Sequence, residues 1–261
     1  MITTFYGYDI SILPNQNSKW KKRYAKLFRQ GNCFLVEGYN MKKSLIKLGC
    51  PEEKIIIQHI GVDLEKIKFT PRNVKNNGLV KLLIASSFRE KKGIPYAIEA
   101  FGRVKESHPE LNLELTIIGD SDGGSEGEKE KKKIFNLIKK YNLKDCVKLL
   151  GYMPHNIFLE EAKKHHIFIS PSITTSYGDN EGGAPVAIIE MSASGMPILS
   201  TKHCDIPEVV IDGKSGFLVN ERDVNNLAKK LKFLILNPKK WKAMGEYGRS
   251  YIMAEYNIKK Q

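Results

Sequence analysis

The chain has 261 residues, 41% of them hydrophobic and 27% charged, which is the composition of a globular protein with room for one large α/β domain or two small ones. Its 42 lysines and arginines against 29 acids leave a formal charge of +13, which favours anionic partners (phosphates, nucleotides, acidic lipids or nucleic acid) without choosing among them. No apolar run approaches the ~18 residues of a spanning helix, the opening MITTFYGYDI is not a secretory signal, and Cys33, Cys50, Cys146 and Cys204 form no CxxC and read as reduced cytosolic thiols.

In chain order, the first pattern is KWKKRYAKLFR at 19–29, with six basic residues and no acid. Trp20, Tyr24, Leu27 and Phe28 share one helical face, so this basic amphipathic helix either packs on its own domain or lies on an anionic membrane surface. Strand-like runs fall at 33–37, 55–60, 80–86, 113–118, 147–150, 167–170, 197–200 and 217–219, with helical patterns near 39–48, 94–107, 127–141, 155–164, 185–194 and 223–236. Strand–helix alternation predicts an α/β fold, a Rossmann-like parallel sheet with helices on both faces. The first part of the chain carries too few elements for a domain of its own, so an incomplete N-terminal α/β segment is expected. A boundary is placed at 61–80, where TPRNVKNNG (70–78) is polar, dividing the chain into 1–65 and 66–261. The charge run EGEKEKKK (126–133) predicts a solvated helix start, and the C-terminal LAKKLKFLILNPKKWKAMGEYGRSYI predicts packing helices.

The most informative stretch is YGDNEGGAPVAIIEMSASGMPILST at 177–201. Pro185 suits the start of a helix and Gly195 its end. Gly182 and Gly183 let the backbone before that helix approach a ligand closely, and free amides at a helix N-terminus suit a diphosphate. Glu190 interrupts an apolar helix, so its carboxylate needs donors: either ribose or sugar hydroxyls, or a cation from a neighbouring helix. Glu190 locked to such a cation, together with a helix tip covered by packed side chains, would count against a ligand site. Asp120 and Asp122 form a DSD in a Gly-rich loop, but its position argues against metal, and the adjacent His165 and His166 point apart, as structural residues do.

These residues carry a resemblance. EGGAPVAIIEMSASGMPILST resembles the signature of glycosyltransferase family 4, retaining nucleotide-sugar transferases of GT-B fold. SSFREKKGIPYAIEAF (86–101), LTIIGD (115–120), VKLLGYMP (147–154) and DIPEVVIDGKSGFLV (205–219) are similar to successive parts of the family's donor domain. FLVEGYNMKKSLIKLGCPEEKIIIQHIGVDL (34–64) resembles the end of its acceptor domain. The resemblance implies that 66–261 is the C-terminal donor-binding domain and 1–65 a remnant of the acceptor domain with its linker. It implies that Glu181 binds donor-sugar hydroxyls, Glu190 the ribose, and Lys92 the diphosphate. Gly182, Gly183, Ala184 and Pro185 touch sugar or phosphate in this reading, and Tyr152 and Met153 line the base pocket. Lys92 is otherwise a solvated charge, and Glu181 a solvated loop acid.

The chain also departs from the family pattern. One extra residue separates Glu181 from Glu190 in the GGAP turn. Ser87 stands where the family has an Arg, with Arg89 the substitute, or else a surface charge. Tyr6 stands where a donor-contacting His is usual and cannot be a cation near neutral pH. The earlier part of an acceptor domain is missing, through a truncated reading frame or because a partner chain supplies it.

The implied reaction transfers a sugar from a UDP- or GDP-sugar to a glycan or lipid-linked acceptor, in cell-surface polysaccharide synthesis, with no metal cofactor. The alternative is a donor-binding subunit that is catalytic only with a partner chain. The expected setting is cytoplasmic, with peripheral contact at the inner face of an anionic membrane as an option and no nucleic-acid partner.

Overall fold

The computed structural model describes residues 1–74 and 78–261. The chain opens with a three-stranded parallel sheet of β1 (Ile2–Thr4), β2 (Cys33–Val36) and β3 (Ile55–Ile57), in that spatial order. Between β1 and β2 run α1 (Gly7–Ser11), α2 (Leu13–Gln16) and α3 (Ser18–Gln30), and α4 (Tyr39–Lys47) joins β2 to β3. Periodicity reads neither β1 nor α1 and α2, because elements this short complete no repeat.

α3 settles the choice between packing and membrane contact for its apolar face. Asn17 caps the helix by accepting the Lys19 N–H at 3.0 Å. Tyr24 and Phe28 are buried, with Phe28 edge to face on Phe34 at 5.3 Å. The apolar face therefore packs on its own sheet, and the cations at 19, 21, 22, 23, 26 and 29 are exposed. Half-buried Trp20 and Leu27 line a hollow of about 440 Å³ beside edge strand β1.

The second sheet has six parallel strands: β4 (Val80–Ala85), β5 (Leu113–Ile118), β6 (Val147–Leu149), β7 (Ile167–Ser170), β8 (Ile198–Thr201) and β9 (Gly216–Val219), in the order β6-β5-β4-β7-β8-β9. The central strands are apolar almost throughout because both faces are covered. Alternate residues of β4 serve opposite layers: Leu82 and Ile84 join one buried cluster, Leu83 the other. The covering helices are α5 (Ile94–Ser107), α6 (Ser125–Lys140), α7 (His155–Ala162), α8 (Val186–Ala193), α9 (Ile206–Val209), α10 (Val224–Leu236) and α11 (Trp241–Glu255). The chain steps outward through β4, β5 and β6, then returns to β7 on the other side of β4. The strand order reverses between β4 and β7, the kind of switch point beside which open parallel sheets place their ligands.

Three expectations change. The strand expected to reach residue 60 stops at Ile57. The run 126–133 is not wholly solvated: Gly127 and Glu130 are buried, and Glu126 accepts the Glu90 N–H at 3.0 Å. The third concerns 70–78, of which 75–77 lie outside the described residues. Arg72 there is buried, with Nη1 donating to the carbonyls of Ala162, Lys163 and His165 and Nη2 to Ser194. One guanidinium thus meets the open C-terminal carbonyls of α7 and α8. His165 and His166 are structural: His165 is buried, and His166 accepts the Lys81 N–H at 2.9 Å and stacks on Trp241.

Candidate functional site

The loops after β4 and β7 meet at this switch point. After β4, a 3₁₀ turn (Glu90–Lys92) presents three cations in four positions, Arg89, Lys91 and Lys92. After β7, the loop from Pro171 to Pro185 brings Asp179 and Glu181 against them. Asp179, 1% exposed, takes Arg89 at 3.1 Å and Lys91 at 3.2 Å. Glu181 takes Lys92 at 2.8 Å and the Ser172 hydroxyl at 2.8 Å. Burial pushes the Glu181 carboxyl up, but the Lys92 and Lys91 charges and the hydrogen bonds from Lys92 and Ser172 outweigh it and hold the group below the usual range. Neither Lys92 nor Glu181 is therefore a solvated charge. Arg89 is shared between Asp179 and, at 3.9 Å, Glu126. Ser87 joins this loop through its carbonyl, which accepts the Arg89 N–H at 3.0 Å.

Behind Glu181, Gly182 turns the chain with φ +76 and leads through Gly183 and Ala184 to Pro185, the residue before α8. Among the described residues no side chain caps this helix. The Glu181–Gly182 backbone lies so close to α1 that a Cβ at Gly7 would sit 2.4 Å from the Glu181 carbonyl oxygen. From the end of β2, Glu37 reaches the same turn: a Cβ at Gly183 would fall 1.8 Å from Glu37 Oε2. Burial, and then the Glu181 charge, push the Glu37 carboxyl up to about 7.

Glu190, on α8, is 8% exposed and accepts a hydrogen bond from His155 Nε2 at 2.7 Å. Burial holds its carboxyl above the usual range despite that bond. Part of the counter-case set by the sequence is thus present: Glu190 has a titratable partner, and Glu37 stands at the helix tip. The partner, however, is an imidazole whose side chain is 59% exposed, not a locked Lys or Arg.

The remaining residues lie around the rim. Tyr152 is 60% exposed and its hydroxyl donates to the Asp120 carbonyl at 2.7 Å, tying the loops after β5 and β6 together. Met153 packs on one buried cluster. Tyr6, next to Gly7, is 54% exposed. Asp120 is paired with Lys131 at 2.8 Å and Asp122 accepts the Gly124 N–H. Among the described residues no group of three His, Cys, Asp or Glu side chains could hold a metal.

Sequence reasoning overlooked Lys91, Asp179, Glu37, His155 and His203. Lys91 and Asp179 sit one or two residues from predicted positions, and His203 lies two residues past β8, at the carboxyl end of the sheet, a positional signal in its own right. Nothing local marks Glu37 or His155; only the approach of distant segments gives them partners.

Comparison with known proteins agrees with this architecture. The chain is 35% identical over 230 residues to the putative colanic acid biosynthesis glycosyltransferase WcaL of Escherichia coli, covering 88% of this chain and 53% of that protein. It is likewise 35% identical over 230 residues to the amylovoran biosynthesis glycosyltransferase AmsK of Erwinia amylovora, covering 87% and 53%. The chain therefore spans about half the length of the curated relatives it matches. Among solved structures, Anabaena Alr3699/HepE in complex with UDP and glucose superposes with a TM-score of 0.82 at 17% identity, over 99% of this chain and 68% of that one. The sucrose-phosphate synthase of Thermosynechococcus elongatus superposes with a TM-score of 0.80 at 19% identity, over 99% and 64%. The α/β fold, with parallel sheets flanked by helices, matches these GT-B glycosyltransferase neighbours. Residues 65–251 match the family described as glycosyl transferases group 1, and the chain belongs to that family.

Proposed function

We propose that this chain binds the donor of a retaining glycosyltransferase that moves a sugar from a UDP- or GDP-sugar to a glycan or lipid-linked acceptor during polysaccharide synthesis. The observation that carries the reading is the convergence, at the reversal point of the sheet, of Lys91, Lys92 and Arg89 with the Glu181–Pro185 turn that leads into an uncapped helix. Breaking a sugar–phosphate bond leaves negative charge on the diphosphate and positive charge on the sugar ring. In this reading Lys92, Lys91 and the amides at the α8 tip meet the first charge without a metal. Glu181 binds the sugar hydroxyls, Glu190 the ribose, and Tyr152 and Met153 flank the base. The leaving phosphate takes the acceptor proton as attack occurs on the same face. UDP in the Anabaena structures and the polysaccharide setting of the relatives support this assignment.

In the same reading 66–261 is the donor domain and 1–65 belongs to the acceptor side. The edge of β1 and the adjacent hollow favour a second possibility, that a further segment or a partner chain completes the acceptor side there before turnover. The exposed cations of α3 suit an electrostatic contact with an anionic membrane. No helix among the described residues is long and apolar enough to cross one.

The test is a thermal-shift panel of nucleotide sugars. A ligand that binds only the folded form adds about 2.7 kcal/mol of stability at a hundred times its Kd. A UDP- or GDP-sugar should raise Tm and sugar alone should not; no shift with any member of the panel would refute the donor reading.

A further inference from the structure

We infer that His203, oriented by Glu221, is the positioning residue that holds Glu181 toward the donor. The inference rests on the reading of Glu181 as the sugar-binding acid. The observations lie beneath the loop rather than in it. His203 follows β8, and its side chain is fully buried. Its Nε2 accepts the backbone N–H of Glu181 at 3.2 Å, and its Nδ1 lies 2.7 Å from Glu221 Oε1. An imidazole that accepts through Nε2 carries its proton on Nδ1, so Nδ1–H donates to Glu221 and the carboxylate fixes the tautomer. Glu221 is itself held: it accepts the Thr174 N–H at 2.9 Å and pairs with Arg222 at 3.2 Å.

The backbone beside His203 points the same way. Cys204 has φ +46, a left-handed conformation that a non-glycine residue adopts only under constraint from its surroundings. That twist sets Cys204 Sγ 3.2 Å from His203 Nε2 and near the Glu181–Gly182 amides, where burial pushes the thiol up to about 12 and keeps it a neutral packing group. The turn after β8 is thus a cradle under the two residues on which the Glu181 side chain depends. Glu181 has partners of its own, Lys92 and Ser172, but these fix the carboxylate end; His203 fixes the backbone end. Without both anchors the carboxylate pivots.

The test compares wild type with His203→Gln, whose Oε1 can accept in place of Nε2, with His203→Phe, which fills the space but accepts nothing, and with Glu221→Ala. The first measurement is amide hydrogen exchange of the segment spanning Glu181 to Ala184, which needs no donor. His203→Phe should speed exchange there about tenfold or more while the strands of the large sheet keep their protection; His203→Gln should restore most of it and Glu221→Ala should fall between. The second is the ratio of affinities for a UDP- or GDP-sugar and for the bare nucleoside diphosphate. His203→Phe should lower the first about tenfold and leave the second within twofold. Unchanged exchange in His203→Phe overturns the inference, and so does acceleration spread evenly over the domain in both His203 variants. If exchange responds as expected while wild type binds no nucleotide sugar, the cradle stands and the donor reading falls.

Discussion

α4 and α8 both begin where segments around the two sheets touch, yet among the described residues only the α4 N-terminus is capped by side chains. Asp205 Oδ1 accepts the Asn40 N–H at 2.6 Å and Glu208 Oε1 accepts the Tyr39 N–H at 2.8 Å. Gly38 leaves room for this, since a Cβ there would lie 2.4 Å from the Asp205 carboxyl carbon. Asp205 Oδ2 is buried beside Glu208, a contact two ionised carboxylates cannot share. Burial first, then Glu208, push Asp205 up to about 8. The α8 tip has no such cap, and cations from the β4 loop gather beside it instead. The same backbone geometry thus serves as a joint in one place and is left without a side-chain cap in the other.

The largest expected effect breaks the open site. Lys92→Met strands the buried Glu181 carboxylate and should cost about 3–5 kcal/mol, the usual penalty for removing one partner of a buried ion pair. The double variant Lys92→Met with Glu181→Gln should recover most of that stability in denaturant titrations while leaving diphosphate binding weak. If the double variant regained diphosphate affinity as well, Lys92 would be a structural cation only.

Next comes the closed tip. Asp205→Ala leaves the α4 amides without an acceptor and should cost about 1–2 kcal/mol, as losing a cap does. Asp205→Asn mimics the protonated acid and should be near neutral at pH 7. The pH dependence follows from the raised value. The unfolded chain releases the proton near pH 4, while the folded chain holds it until about 8. Stability from this group is therefore full below pH 4, falls as pH rises toward 8 and is flat beyond. Asp205→Asn should flatten that slope in a Tm series from pH 5 to 9. A series unchanged by Asp205→Asn would mean that the two acids do not share a proton.

The contrast between the tips also shows what the sequence could reveal. The strands of the six-stranded sheet were legible because buried parallel strands are apolar runs, and the turn before α8 was legible because Gly-Gly and Pro stand at its start. Lys92 and Glu181 were singled out through a resemblance to a family, and the fold pairs them. The closed tip was illegible. Asp205 and Glu208 read as ordinary residues of a turn, and their partners lie more than 160 positions away. α3 shows a further limit: its hydrophobic periodicity located the helix and its apolar face, but could not say whether protein or membrane covered it. Arg72, in a stretch that reads as linker, owes its burial to carbonyls from two helices that only the fold assembles.

Glu190 yields a smaller effect, because its present partner is an exposed imidazole. Glu190→Ala should weaken UDP or GDP binding about tenfold in calorimetry, on the order of 1.4 kcal/mol, with little change in Tm. His155→Ala should not weaken it, since a ribose hydroxyl would take over that hydrogen bond. Equal losses in both variants would make the pair, and not the acid alone, the binding element.

The smallest expected effect concerns a side chain that approaches the α8 tip. Glu37 follows β2 of the three-stranded sheet and lies against Gly183, and burial, then Glu181, push its carboxyl up to about 7. Below that value it is neutral and leaves the α8 tip to an incoming diphosphate. Above it, a second carboxylate beside Glu181 repels the anion and competes for the helix amides. Nucleoside diphosphate affinity should therefore fall about two- to fivefold between pH 6 and 8, in the range expected for a single like charge near a helix terminus. Glu37→Gln should hold the affinity near its pH 6 value across that range. A pH profile identical in wild type and Glu37→Gln would place the Glu37 charge too far from the bound phosphates to be felt, and would leave the α8 tip open at every pH.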